Sequence, residues 1–394
     1  MTNVYILGGA RTPFGTFGGS LKDVSATELG TIASKRAIEK STVKPEDIEQ
    51  VFVGNVIHTS KNASYMARHI ALRAGVPIES PALTVNRLCG SGLQAVISAA
   101  QAILLKESHV ALALGTESMS QSPHVLRGAR FGTGLKAPEI EDMLLASLSD
   151  EYIGCGMGIT AENLSEKYGI TREDQDKFAL ISQQRAAKSR KNGRFKEEIT
   201  PVVLTDRKGK EITITEDEHI KADSTMEEMA KLKPSFKKDG TVTAGNASGI
   251  NDGASAVVLA DEAYINQNKQ LKPLARIVSW GIAGVEPGIM GIGPVPASQM
   301  ALQRAGMNVN DIDLIEVNEA FAAQFLAVEK ELGLDREKVN VNGGAIALGH
   351  PVGASGGRIL YSLALELKNR GKKYGLASLC IGGGQGIAMI IESV

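Results

Sequence analysis

The chain reads as an α/β protein made of two similar halves, and three internal parallels carry that reading. "PEDIEQVFVGNV" (45–56) matches "VNDIDLIEVNEA" (309–320), each an acidic helix start followed by an apolar strand. "TVNRLCGSG" (84–92) is echoed by "NVNGGAIALGHPVGASGG" (340–357), where a strand and a glycine-rich turn again precede a helix. "HVALALGTES" (109–118) pairs with "KYGLASLCIGG" (373–383). Strand–turn–helix–strand order in both halves predicts βα units and a largely parallel sheet in each. Three parallels in one order predict an internal duplication.

The first half is expected over residues 1–119 and 249–270, and the second over 271–394. Between them, residues 120–248 are rich in charge ("KKDG", "TEDEH") and carry the helical stretch "TREDQDKFALISQQRAAKSRKN". There Thr171 and Asp174 fit an N-terminal capping box, and Gly193 a helix stop. A charged insertion of this length in a duplicated α/β core predicts a lid or substrate-holding domain. "GNASGINDGASAVVLA" (245–260) then returns to apolar strand character and rejoins the first half.

A length of 394 residues suggests two or three domains, and 43% apolar content is ample for a large interior. The 43 basic and 44 acidic residues leave a net charge of −1, so no global field exists to hold nucleic acid or an anionic membrane. "MTNVYILGGARTPFG" runs directly into a strand-like segment, without the basic region and apolar core of a signal peptide. No uninterrupted apolar run reaches about 18 residues. The expectation is a soluble, cytoplasmic protein that engages neither nucleic acid nor membrane.

The three cysteines, Cys89, Cys155 and Cys380, are far apart and form no C-x-x-C pair. A disulfide framework or structural metal site is not expected. Cys155 reads as a small buried hydrophobe. Cys89 sits where Leu93, Val96, Ile97, Ala100 and Leu104 begin a helix, so the helix N-terminus would stabilise a thiolate. A free thiol near pKa ~8.5 is mostly protonated at neutral pH, so it also needs a base. Of six histidines, only His350 is surrounded by glycines and a proline that force a turn, although a lone histidine is more often structural. Cys380 and Asn318 each follow an apolar strand, at the sheet edge where open α/β folds bind ligands. Capping is the commoner use of an asparagine there. A thiol, a turn histidine, a second thiol and an amide at strand ends suit acyl transfer through a thioester. The glycines do not form G-x-G-x-x-G or G-x-x-x-x-G-K-[ST] patterns, which argues against nucleotide binding by those routes.

These residues resemble the thiolase family over essentially the full length. "NRLCGSG", "NEAFAAQ", "VNGGAIALGHPVGASGGRI" and "LCIGGGQG" stand in that family's order and spacing, and "GTVTAGNASGINDGA" matches the end of its loop domain. The resemblance implies two βαβαβαββ halves in a five-layer αβαβα sandwich, with the loop domain covering coenzyme A. It implies a reversible Claisen exchange in which Cys89 is acylated and His350 activates it. Cys380 would move the α-proton of acetyl-CoA, and Asn318 would hold a water that forms one oxyanion hole with His350. The N–H groups of Cys89 and Gly382 would form the other. By the same resemblance Ser248, Met290, Ala320 and Phe321 line the CoA channel, and Lys221 stands where many members place an arginine over the adenine. No metal or tightly bound cofactor is implied; CoA is a substrate, and a homo-oligomer, dimer or tetramer, is expected.

Two departures bear on substrate. The acetoacetyl-CoA-forming branch usually has a histidine before "MGITAEN", where this chain has Gly156. "GTESMSQSPHVLRGARFGTGL" and "MGIGPVPAS" look more like the 3-ketoacyl-CoA thiolases that accept longer chains. A strictly short-chain acetyl-CoA acetyltransferase is the near alternative. A decarboxylating ketoacyl synthase is a remoter one, since such enzymes pair the cysteine with two histidines. A non-catalytic acyl-CoA scaffold would have no use for this set of reacting groups.

Overall fold

The structure, a computed structural model, describes residues 2–135, 137–205 and 208–394. The first half runs β1 (Val4–Arg11), α1 (Ala26–Ser41), β2 (Gln50–Gly54), α2 (Met66–Arg73), β3 (Ala82–Val85), α3 (Ser91–Leu104) and β4 (Val110–Ser118). The insertion follows, with α4 (Met143–Ser147), α5 (Met157–Tyr168) and α6 (Arg172–Lys191), before β5 (Asn251–Asp261) closes the half. The second half runs β6 (Ala275–Gly284), α7 (Pro294–Ala305), β7 (Leu314–Val317), α8 (Ala322–Leu332), α9 (Ser355–Arg370), β8 (Tyr374–Ile381) and β9 (Gln385–Ser393). The sheet order is β7–β8–β9–β6–β1–β5–β4–β2–β3, and a short β1–β6 pairing at Tyr5 and Ile6 joins the halves.

The layers follow from which faces are apolar. Helices α1 and α2 bury Leu29, Ala33, Met66 and Ile70 against Val51, Val53, Leu112 and Val258 on the outer face of the first half-sheet. Helices α7 and α8 bury Ala297, Ala301, Phe325 and Val328 against Ile315, Val317, Leu376 and Ile390 of the second. Between the sheets lie α3 and α9, whose Leu93, Val96, Ile97, Ile359, Leu360 and Leu363 form one core with residues of both. This is the αβαβα sandwich. Each fully buried Leu, Ile or Phe contributes about 1.5–3 kcal/mol, so the middle layer, shared by both halves, helps to hold them together.

The sheet is not largely parallel, which corrects the expectation from βα order. Among the described strands, only β2–β3, β2–β4 and β7–β8 pair in parallel. Strand β9 turns straight back on β8 through Gly383 and Gly384, both in the left-handed region at φ +77° and +79°, and a tight turn permits only antiparallel pairing. Strand β5 likewise returns from the insertion antiparallel to β4.

The third strand expected in the second half shrinks to a single bridge between Ile315 and Val339. Asn340 is the cause. It takes φ +47°, and its side-chain amide bonds both the N–H of Val317 (2.9 Å) and its carbonyl (2.8 Å), replacing a ladder.

The insertion is tied down by charge and caps. The Thr171–Asp174 capping box opens α6, an arrangement that contributes about 1 kcal/mol, and Gly193 at φ +75° follows its end. Arg11, at the end of β1, donates to Glu198 (2.7 Å) and to both carboxylate oxygens of Asp217 (2.6 and 2.9 Å). All three are buried, so losing one partner would strand an interior charge.

Candidate active site

Cys89 lies in the turn that leads into α3. Residue Leu88, just before it, is held at φ +45°, a left-handed conformation costing a non-glycine residue about 1–2 kcal/mol. Local bonds hold that shape: the N–H of Ser91 donates to the Leu88 carbonyl (2.9 Å) and the Leu88 N–H to Asn86 Oδ1 (2.9 Å). Opposite stands the turn Leu348–Ser355, which leads into α9. The two helices approach closely at their N-terminal ends because Gly92 has no side chain. A Cβ there would lie 2.8 Å from the Gly353 carbonyl oxygen.

The reacting groups expected from sequence converge here. The N–H of Gly382, in the β8–β9 turn, is near enough to the Cys89 sulfur to favour its thiolate. Cys380, fully buried near the end of β8, is near enough for a charge on Cys89 to raise its pKa, in addition to the rise caused by burial. Asn318 follows β7 and places its Nδ2 3.4 Å from His350 Nε2. Its Oδ1 is buried with no protein partner, as befits an atom facing a ligand or water. Ser355 Oγ donates to the Pro351 carbonyl (3.0 Å) and therefore accepts from His350 Nδ1–H at 2.5 Å. That assigns the tautomer: the lone pair is on Nε2, on the side of Asn318.

Electrostatics differ from the expectation of a stabilised thiolate. Burial pushes the Cys89 thiol up to about 11, outweighing its N–H contacts, with the Glu117 charge adding to the rise. Burial, helped by the Arg358 cation, pushes His350 down to about 3. Thiol and imidazole are both neutral at rest, because desolvation exceeds what a helix N-terminus supplies.

Met290, Ala320 and Phe321 pack in one cluster with Cys380, joined by Met157, Ala161, Val242 and Ala247 of the insertion. The Ser248 N–H bonds the Ala320 carbonyl (3.0 Å). Lys221 is exposed, with its backbone N–H held by Gln183 Oε1 (2.8 Å). On the other side of the centre, Cys89 packs with Ile57, Met119, Leu144, Leu148 and Val352.

Three positioning groups were not singled out in the sequence. Glu117, at the end of β4, accepts from the N–H groups of Val56, Ile57 and Gly353 and from Asn55 Nδ2, spanning both halves. Burial pushes its carboxyl up to about 8 against the pull of those donors. Asn251 Oδ1 holds the His350 N–H (2.9 Å). Ser355 lies inside "GHPVGASGG", and its spacing from His350 was the one available signal.

Comparison with known proteins agrees with this geometry. A model described as thiolase, N-terminal domain, matches residues 4–263, and one described as thiolase, C-terminal domain, matches 271–393. The chain belongs to the thiolase family. It is 52% identical over 394 residues to the 3-ketoacyl-CoA thiolase, mitochondrial, of Homo sapiens, covering 100% of this chain and 99% of that one. It is 53% identical over 390 residues to an acetyl-CoA acetyltransferase of Chromobacterium violaceum, covering 99% of each. The crystal structure of human mitochondrial 3-ketoacyl-CoA thiolase in complex with CoA is similar at TM-score 0.96 and 52% identity, over 100% of this chain and 98% of that one. This thiolase is an acyltransferase, with CoA as substrate rather than tightly bound cofactor.

The cytoplasmic expectation is corrected by the same comparison. Relatives from human, mouse and rat at 52–53% identity are mitochondrial enzymes by name, so the cytoplasmic expectation does not stand. Among the described residues, no helix is long and apolar enough to cross a membrane.

Proposed function

We propose that this thiolase exchanges acyl groups between CoA thioesters through an acyl-Cys89 intermediate, acting on acetoacetyl-CoA and longer straight-chain 3-ketoacyl-CoA. In the cleavage direction His350 takes the Cys89 proton as the sulfur attacks the 3-keto carbon. The bond between C2 and C3 then breaks, and Cys380 protonates the acetyl-CoA carbanion at C2. The thiol of free CoA next attacks the acyl-Cys89 carbonyl, releasing the shortened acyl-CoA and returning the proton to the enzyme. The observation that carries this reading is the nearness of both the Gly382 N–H and Cys380 to the Cys89 sulfur. An N–H donor so placed also suits the oxyanion of a thioester at that sulfur. A water on Asn318 and His350 would serve the acetyl-CoA enolate. Ser248, Met290, Ala320 and Phe321 would line the pantetheine path, and Lys221 would contact the nucleotide end. A decarboxylating synthase finds less support, because an amide stands beside His350 where a second imidazole would serve.

The test is acetylation of the intact protein by acetyl-CoA, read by mass. The wild type should gain one acetyl group, and Cys89→Ser none while keeping its fold. Cys380→Ser should accept the acetyl group but lose deuterium exchange into acetyl-CoA. Full turnover by Cys89→Ser would end the nucleophile assignment. A homo-oligomer belongs to the same proposal, supported by exposed Leu83 on the open edge strand β3 and exposed Phe131 and Leu135 of the insertion. Light scattering reporting a monomer would remove it.

A further inference from the structure

The side chain of Asn318 is held by little of its own. Among the described residues its Oδ1 has no partner, and its Nδ2 meets His350 Nε2 only at 3.4 Å. Whatever fixes that amide must act through the backbone on either side of it. On one side Asn340 bonds the Val317 N–H and carbonyl, and the Asn318 N–H itself donates to the Ser378 carbonyl (2.9 Å). On the other side stands Glu319.

Glu319 is buried, and its carboxylate joins three segments of the chain. Its Oε2 accepts from Ser182 Oγ (2.7 Å), on α6 of the insertion, whose hydroxyl accepts in turn from the Gly344 N–H (3.0 Å). The same oxygen accepts from the Ile346 N–H (3.1 Å), in the short helix Ala345–Leu348 that ends just before His350. Its Oε1 accepts from Asn340 Nδ2 (2.8 Å), the amide that also holds Val317, so Asn340 brackets Asn318 from both flanks. Gly344 lies so close that a Cβ there would be 2.2 Å from the Glu319 Cδ. The nearby buried carboxyl of Glu316 is paired with Arg358 (3.2 Å), whereas Glu319 is met by neutral donors. Burial raises its pKa against the pull of those donors. All of them donate, so a carboxylate satisfies them and an amide of the same shape cannot. Glutamine would turn its NH2 toward either Asn340 Nδ2 or the Ile346 N–H.

We propose that Glu319 is the positioning residue of the enolate site: it holds the Asn318 amide opposite His350 and ties it to the insertion through Ser182. The inference rests on the reading above, in which Asn318 and His350 share a water for the acetyl-CoA enolate. His350 has anchors of its own in Asn251 and Ser355. Acylation of Cys89 uses the other oxyanion hole, so it does not depend on Glu319. Misplacing a group at the reaction centre by about 1 Å can cost about a hundredfold, and the bonds of Glu319 keep Asn318 within that margin.

The experiment follows two half-reactions in the wild type, Glu319→Gln, Ser182→Ala and Asn318→Ala. One is the rate of protein acetylation by acetyl-CoA, read by mass; the other is deuterium exchange into the methyl group of acetyl-CoA, read by NMR. Glu319→Gln should lose about tenfold or more in exchange while its acetylation rate stays within about twofold. Ser182→Ala removes one donor to the carboxylate and should lose about twofold to tenfold in exchange alone. An equal loss in both half-reactions would make Glu319 a structural residue only and overturn the proposal. Full exchange in Glu319→Gln would overturn it too, as would full exchange in Ser182→Ala if the glutamine variant does not fold. Asn318→Ala separates the two claims. Exchange retained there defeats the enolate reading, whereas exchange lost there but kept in Glu319→Gln defeats only this inference.

Discussion

The turn that holds Cys89 and the turn that holds His350 occupy equivalent places in the two halves, yet they are held in different proportions by near and distant bonds. Most bonds of the cysteine turn are local, running among Asn86, Arg87, Leu88, Gly90 and Ser91, and the strained Leu88 is fixed by neighbours a few residues away. Only its side chains reach further, Asn86 to the Val56 carbonyl and Arg87 to Gln385 Oε1, leaving the backbone N–H groups to near partners. The histidine turn depends on side chains far off in sequence, with Asn251 on the His350 N–H and Glu117 on the Gly353 N–H. A local turn can expose a thiol to an incoming thioester, whereas burying an imidazole as neutral base requires the interior of both halves. Duplication supplied one plan, and the chemistry accounts for the divergence.

That contrast predicts unequal costs. Glu117→Ala would take the acceptor from the buried N–H groups of Ile57 and Gly353 and the half-buried one of Val56, leaving Asn55 Nδ2 only its Thr116 bond, for a loss of about 3 kcal/mol in unfolding free energy. Asn86→Ala removes two bonds near the surface, from the Leu88 N–H and to the Val56 carbonyl, and should cost about 1–2 kcal/mol. Urea unfolding of both variants checks this. Equal losses would mean that the cysteine turn also depends on long-range support.

What was legible in the sequence follows the same division. The cysteine turn, the α6 capping box and the strand ends carrying Asn318 and Cys380 are local patterns, visible in the sequence itself. The supports of the histidine turn were not legible, because nothing near Glu117 or Asn251 marks them as partners of a loop at 350–353. The lost third strand was hidden for a similar reason: Asn340 stands in "VNVNGG" like a strand residue, and only its left-handed backbone turns its amide onto Val317. The helix N-terminus at Cys89 was read correctly as geometry. Its effect on the thiol was overestimated, because sequence shows the helix start but not the depth of burial.

Protonation gives a smaller and separable effect. His350 titrates at about 3 in the fold against an ordinary value of 6.5. Between those values the unfolded chain binds a proton that the native imidazole refuses, so stability is complete above about pH 6.5 and is lost as pH falls toward 3. Glu117 acts with the opposite sign: its carboxyl, raised from 4.5 to about 8, makes stability fall as pH rises through that interval. Comparing urea midpoints near pH 7 and pH 5 in the wild type and His350→Asn isolates the imidazole. The variant should lose less on acidification. An identical loss would show that His350 is not the group held neutral.

The finest distinction lies in one hydroxyl. Ser355 Oγ accepts a hydrogen bond from His350 Nδ1–H and donates its own to the Pro351 carbonyl, so the lone pair is kept on Nε2. Ser355→Ala leaves the imidazole buried but free to carry its proton on either nitrogen, and the tautomer with Nε2 protonated cannot accept from Cys89. Removing the group that orients a working histidine typically costs about tenfold to a hundredfold, and the lower figure is expected here because Asn318 still contacts Nε2. The loss should appear in kcat for acyl transfer, with KM for acetoacetyl-CoA little changed, since no substrate contact is removed. Ser355→Thr, which restores the hydroxyl, should recover most of the rate. A Ser355→Ala enzyme at full kcat would mean that packing alone fixes the tautomer, and the histidine turn would then be no more dependent on side-chain bonds than the cysteine turn opposite it.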